Sequence, residues 1–390
     1  MKVLFITTRL FFHRDSGRKV SLYNYCKGMH ERLGAEVYVY SFLQDSVPKD
    51  VADKPDFIRD VRLAARVSRW ETAATLFSLL FQRSVPLQWS LFYSRKNKKA
   101  LQSYIDEIRP DVVIVDMIRL APYIERLHFS AKSIADMDDL LSRRYENMLV
   151  TQKMGFFKRL IYRAERARLE RAEYKYGNLY DRVIFVSPVE TAIFNERIPG
   201  KAITVSQSVD VKFFQSTPKR SAQAENLLFI GNCTYAPNAD SVVEIGRKIM
   251  PLLFGMELKV VGAYTEELQK RVQGLAVRLE GKAEDVRACA AEAALFLCPI
   301  SYGSGVKTKI LEAMAMGLPV ITNSIGAEGI EAQDGVHFLV RNGAAETAQA
   351  VRLLLSDRAL AERIGRNGQA LVFTKYSVER TMYDMEKALS

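Results

Sequence analysis

Cysteine is scarce: Cys26, Cys233, Cys289 and Cys298 are the only four in 390 residues. No two have the spacing of a metal or redox pair, and a chain this long does not call for a disulfide framework. A reduced, cytoplasmic setting is expected. Long apolar runs are also missing. The longest apolar-rich stretch, residues 74–81, contains Thr75 and Ser78 and falls far short of the ~20 residues needed to span a bilayer. The opening "MKVLFITTRLFF" is apolar, but Arg9 breaks it and no small-residue cleavage site follows. It reads as a first strand rather than a signal segment. Neither an internal repeat nor a low-complexity tract occurs. Negative charge is in deficit, with 56 Lys and Arg against 45 Asp and Glu, a net +11. Residues 1–200 hold 34 basic and 24 acidic side chains, so +10 of that excess lies in the first half. An acidic partner is expected there: a membrane surface, a phosphorylated substrate or nucleic acid. The chain carries no nucleic-acid recognition motif or stacking platform, so nucleic acid is set aside.

What is present is an alternation of short apolar runs with helical ones. "KVLFITT", "EVYVYSF", "DVVIVDM", "KSIADMD", "RVIFVSP" and "AITVSQSV" are nearly continuous in apolar character. Strands of a parallel sheet covered on both faces have this composition. After about residue 220 the pattern restarts with "NLLFIGN", "ELKVVG", "VRLEG", "LFLCPI", "PVITNS" and "HFLV". Two such sets predict two doubly wound α/β domains. The polar stretch "STPKRSAQAE", residues 216–225, is the expected linker, and "SVERTMYDMEKAL" is an expected last helix capped by Ser377.

The chemistry concentrates in "SYGSGVKTKILEAMAMGLPVITNSIGAEG", residues 301–329. It follows the strand "LFLCPI", and doubly wound sheets bind ligands at the carboxyl ends of their strands. Gly303, Ser304 and Gly305 allow close backbone approach, and the next helix presents free N–H groups and a positive dipole end to an anion. Lys307 and Lys309 add full charges. Glu312, one turn further on, can accept two hydrogen bonds from ribose hydroxyls. Together they describe a site for a nucleotide diphosphate. The plainer alternative, a glycine turn with solvated charges, leaves the carboxylate inside "ILEAMAMG" without a reason.

These residues resemble the signature of family 4 glycosyltransferases of the GT-B fold, and "FIGNCTYAPNADSV", "KVVG" and "VRLEGKAED" continue the resemblance through residues 227–340. "TTRLFFHRDSGRKVSLYNYCKGM" is similar to the family's glycine-containing loop after the first strand. The likeness is strongest to bacterial members that build surface polysaccharides and envelope glycans. It implies two Rossmann-like domains facing a central cleft: an acceptor domain at 1–215, a nucleotide-sugar domain at 216–375, and a helix at 376–390 crossing back to the first. It implies a retaining transfer from a UDP-, GDP- or other NDP-sugar to a lipid-linked or oligosaccharide acceptor, with no metal and no cofactor. Gly17 would bring backbone to the diphosphate, helped by Arg18 and Lys19. The family's two glutamates are separated by seven residues; Glu312 matches the second, and Ser304 stands where the first would fall. The basic pair usual near "FIGN" is absent, which makes Lys307 and Lys309 the main diphosphate partners. Asp136 and Asp138 stand where many members have a sugar-contacting histidine, and His13 is a further candidate in the first loop. These are the catalytic candidates; the alternative for the acids is to cap the next helix and pair with Arg143 and Arg144.

Two basic, aromatic stretches complete the reading. Arg59, Arg62, Arg66 and Arg69 recur at helical spacing beside Trp70, Phe77 and Phe81, and residues 155–171 mix aromatics with Lys158 and Arg159. Both fit helices lying in an anionic membrane interface, which predicts peripheral association with the inner face of the cell membrane. Arg62, Arg66, Arg69, Trp70, Lys158 and Arg159 are the expected contacts. Two other functions remain open: a non-catalytic GT-B protein that binds glycan or a partner transferase, and a sugar-nucleotide 2-epimerase.

Overall fold

The computed structural model describes residues 1–13, 17–42, 51–79, 81–151, 154–221, 224, 226–303 and 305–390. The chain forms two compact units, Met1–Ser206 with Thr381–Ser390, and Gln207–Arg380. The first crossing therefore precedes the polar stretch 216–225, although residue 215 had been the expected end of the first domain. The reason is that residues 207–215 join the second core. Val209 donates its N–H to Tyr376 O at 2.8 Å, and Phe214 is buried.

The first unit contains a seven-stranded parallel sheet. Its strands are β1 (Lys2–Thr7), β2 (Glu36–Ser41), β3 (Ile58–Leu63), β4 (Val112–Asp116), β5 (Lys132–Asp138), β6 (Arg182–Phe185) and β7 (Ala202–Thr204). Their order is β3-β2-β1-β4-β5-β6-β7. The second unit contains a parallel sheet of β8 (Asn226–Ile230), β9 (Leu258–Val261), β10 (Val277–Gly281), β11 (Ala293–Cys298), β12 (Val320–Thr322) and β13 (Leu339–Val340). Their order is β10-β9-β8-β11-β12-β13. Both sheets reverse their strand order once, between β1 and β4 and between β8 and β11. Helices shield the two faces, so Val3–Ile6 and Leu227–Phe229 are buried throughout. That is why these strands are apolar without alternation.

One element departs from expectation. The arginine stripe predicted a single helix over 59–83, yet residues 58–63 form β3 and a helix runs over Arg69–Leu79. The cause is a capping box. Ser68 Oγ accepts from Glu71 N at 3.2 Å, and the Glu71 carboxylate accepts from Ser68 N at 3.1 Å. This reciprocal pair starts the helix at 69. Upstream, Val39 and Tyr40 of β2 pair with Val61 and Arg62. Arg62 then bonds Glu107 at 2.7 Å and lies over the Tyr104 ring at 4.3 Å. It is committed within the fold, whereas Arg66 and Arg69 are exposed.

The last helix, Val378–Leu389, begins at the end of the second unit and packs on the first. Thr381 donates to Ser206 O at 3.0 Å and Lys132 Nζ to Leu389 O at 2.9 Å. A Cβ built on Gly28 would fall 2.4 Å from Met382 Sδ, so glycine is what lets this helix approach.

Candidate functional site

In the second unit, the loops after β8 and β11 flank the strand-order reversal, where open α/β sheets leave a ligand crevice. After β11 the chain runs through Ser301–Lys307 into the helix Thr308–Ala315. Gly303 and Gly305 have φ of 152° and 69°, a region that favours glycine. Ser304 lies outside the described residues.

This loop is braced from behind by residues that sequence reasoning missed. Ser301 Oγ donates to Glu244 at 2.7 Å, and Tyr302 donates to Asp240 at 2.8 Å. The Asn323 carboxamide accepts from Ile300 N at 3.1 Å and donates to Ile300 O at 2.8 Å. These partners come from other elements, and nothing in their local sequence marks them.

The two lysines part company. Lys307 turns back and donates to Gly305 O. Lys309 reaches across to the β8 loop, where it donates to Asn238 Oδ1 and lies 5.0 Å from the centre of the Phe229 ring. A Cβ on Gly231 would sit 3.2 Å from its Nζ, so the glycine of "FIGN" makes room for the ammonium. The β8 loop lacks a basic residue of its own, and Lys309 supplies the charge from the neighbouring helix. Burial lowers the pKa of Lys309 below the ordinary lysine value, against the pull of Cys298, Cys233 and Glu312.

Glu312 is one turn beyond, half-buried. Burial pushes its carboxyl up to about 7, and Lys309 is the one charge pulling it back. No hydrogen bond to this carboxylate is found among the described residues. Its free acceptor capacity and its neighbouring cation mark it as a candidate binding residue.

In the first unit, Arg18 stands in the first turn of the helix Gly17–Leu33 that opens at Gly17. It had been expected to assist at a diphosphate. Instead its guanidinium is held by Asp116 at 2.6 Å, Asp136 at 2.6 Å and Asp138 at 3.3 Å. Thr8 Oγ1 donates to the other oxygen of Asp116 at 3.1 Å. Asp136 is fully buried beneath Arg18 and serves as its counter-ion, a different part from the catalytic one expected of it. Asp138 is more open: 24% of its side chain is exposed, and its φ of 62° turns it out of the strand. Burial raises its carboxyl above the ordinary aspartate range, and Arg18 opposes that. Asp139 pairs with Arg144 at 2.5 Å, as the helix-capping alternative required. His13 lies in an exposed loop, 3.4 Å from Asp53.

Apart from Arg62 on β3, the expected membrane contacts lie in two separate regions of this unit. On the Arg69–Leu79 helix Trp70 is 87% exposed, and Phe77 and Phe81 beside it are exposed and pack edge to face. The helices Leu141–Thr151 and Phe156–Leu179 pack together as a hairpin. Lys158 and Arg159 lie near its tip beside exposed Phe156, Phe157, Leu160 and Ile161. Arg168 joins the two elements, donating to Leu79 O at 2.8 Å and Gln82 O at 2.6 Å.

Residues 224–357 match the profile of the family described as "Glycosyl transferases group 1". A curated relative is an uncharacterized 44.6 kDa protein in the cps region of Klebsiella pneumoniae, 23% identical over 259 residues. That alignment covers 63% of this chain and 64% of the relative. Among solved structures, a mutant of S. aureus TarM in complex with fondaparinux, alpha-GlcNAc-glycerol and UDP superposes with a TM-score of 0.72 at 11% identity. The match covers 100% of this chain and 99% of TarM. Anabaena HepE in complex with UDP superposes at 0.69 with 14% identity, over 100% of this chain and 99% of HepE. Residues 224–357 are thus similar to the group 1 glycosyl transferases, and over its whole length the chain has the GT-B fold of these solved structures.

Proposed function

We propose that this chain is a retaining glycosyltransferase. It moves a sugar from a nucleotide diphosphate sugar to a lipid-linked or glycan acceptor in bacterial envelope or exopolysaccharide synthesis. The observation that carries this reading is Glu312: a half-buried carboxylate, unbonded among the described residues and one turn from Lys309, at the strand-order reversal of the second sheet. In this reading it accepts the ribose hydroxyls. The glycine loop, the N-terminus of the Thr308–Ala315 helix, Lys307 and Lys309 neutralise the diphosphate without a metal. The cps-region relative favours a surface-polysaccharide setting, and the UDP of TarM and HepE makes UDP the first base to try.

The chemistry follows from leaving-group charge. The bond from the anomeric carbon to the phosphate oxygen breaks as the bond to the acceptor oxygen forms on the same face. The acceptor proton passes to the leaving phosphate, so no protein nucleophile is required. Asp138, the most open of the three acids around Arg18, orients a sugar or acceptor hydroxyl. The 2-epimerase reading needs acids free to move protons, and Arg18 ties up Asp116 and Asp136. The exposed aromatic and basic surfaces of the first unit support peripheral attachment to an anionic membrane.

The test is a thermal-shift panel of UDP, GDP, ADP, dTDP and CMP with their sugar conjugates. A ligand that binds only the folded state raises its melting temperature. One nucleotide should shift the wild type, and Glu312→Ala should weaken its binding about tenfold, in line with one charge-assisted hydrogen-bond pair. Unchanged affinity in Glu312→Ala would remove the ribose role. No shift with any nucleotide would favour a non-catalytic glycan-binding protein.

A further inference from the structure

Two arginines stand just past the strand-order reversal of the first unit. Arg9 lies in the loop after β1 and Arg119 in the segment after β4, the two strands that flank the reversal. Both are half-buried, and the Nε of each is buried without a hydrogen-bond partner among the described residues. The nearby acids are engaged by other cations. Asp116 and Asp136 hold Arg18, and Asp139 holds Arg144. Burial, and then the charges of Arg9 and Arg144, hold Arg119 below the usual arginine range against the pull of Asp116 and Asp139. An arginine stays protonated all the same.

Two guanidinium groups of like charge, each with a buried unbonded Nε and with the neighbouring acids among the described residues paired to other cations, are an unfavourable arrangement in a resting fold. A ligand that brings negative charge relieves it. The position is the edge at which doubly wound sheets take ligands. The chemistry is that of a phosphoryl group, whose oxygens match the planar donor fork of arginine. Arg18 cannot fill this part, because its own donors are spent on aspartates.

We propose that Arg9 and Arg119 form an anion subsite in the first unit that takes the phosphate or diphosphate of a lipid-linked acceptor. This rests on the transferase reading above and names the acceptor's chemistry. The donor diphosphate offers the same chemistry from a second source, so the experiment must separate the two.

The full-length chain is titrated calorimetrically with inorganic pyrophosphate in a Lys309→Gln background, which weakens the share taken by the second unit. Adding Arg9→Gln and Arg119→Gln should lower pyrophosphate affinity about tenfold or more. In the otherwise native chain the same two changes should leave binding of the nucleotide found by thermal shift unaltered. Equal pyrophosphate affinity with and without the arginines, or no binding in either case, would overturn the subsite. A parallel loss of nucleotide affinity would assign the arginines to the donor and overturn the acceptor assignment. If no nucleotide binds the wild type, the transferase reading fails while the pyrophosphate arm still reports on the subsite. Melting without ligand is the second readout. Removing one of two repelling charges should leave Arg119→Gln at least as stable as the wild type; a clear fall would mark a structural arginine and overturn the proposal.

Discussion

Glu312, beside Lys309 in the proposed donor site, is held at a cost to the resting fold. Glu312 has its carboxyl pushed up to about 7, so the folded chain keeps a proton there that the unfolded chain has already released. Its contribution therefore falls as pH rises from the ordinary glutamate range through 7. Glu312→Gln removes that pH-dependent penalty. At pH 8 it should raise the melting temperature of the free protein, by a free energy of about 1–3 kcal/mol, and at pH 5 it should change little. Nucleotide binding should move the opposite way: in the wild type it should weaken below pH 7, where the acceptor becomes a neutral acid, and in the glutamine variant it should be weak throughout. Thermal melts and titrations at the two pH values check both halves. Gly231 is the quiet partner in this arrangement, because any side chain there would crowd the Lys309 ammonium and Asn238.

At the scale of elements, the expected arginine stripe failed as a unit and the aromatic surfaces survived as two. Helical spacing is only a pattern until something starts the helix, and here Ser68 and Glu71 start it at Arg69. Arg62 is left on a strand with its own acid, so Arg62→Gln should leave vesicle binding unchanged. The hairpin tip is different. Phe156, Phe157, Leu160 and Ile161 are exposed beside Lys158 and Arg159, an apolar surface with a basic rim. Replacing those four apolar residues with Ser should strongly reduce sedimentation with vesicles rich in an anionic lipid. Replacing Lys158 and Arg159 with Gln should weaken binding at low salt and flatten its dependence on salt, since each surface cation is worth about 1 kcal/mol against an anionic leaflet and salt screens that share. Undiminished sedimentation by the Ser variant would mean that the tip does not meet lipid.

At the scale of the whole molecule, pH acts through two carboxyls of the first unit, Glu173 and Glu190, buried beside the segment Leu140–Ser142. Glu173 is fully buried and accepts from Ser142 N and Oγ. Burial pushes its carboxyl up to about 8, and burial likewise raises Glu190, which accepts from Leu140 N at 3.2 Å. With folded-state values above the unfolded one, these groups stabilise the chain when protonated and lose that stabilisation as pH climbs through about 8. The protein should melt higher at pH 6 than at pH 9, and Glu173→Gln should flatten the difference. An unchanged slope in that variant would place the pH dependence elsewhere.

The strand runs, the repeated α/β pattern and the cluster of glycines, lysines and glutamate at 303–312 could be read from residue order alone. Backbone hydrogen bonding, burial on both sheet faces and the start of a helix are local or periodic demands, and each leaves its mark on neighbouring residues. What only the tertiary structure decided is how each charge is used. Arg18, expected at a ligand, is spent on three aspartates; Lys309 supplies the β8 loop; Arg9 and Arg119, unremarkable in sequence, each keep a buried Nε with no hydrogen bond among the described residues. Electrostatic partners are chosen by proximity across a sheet edge between residues some 70 to 120 positions apart, and no local pattern records that choice.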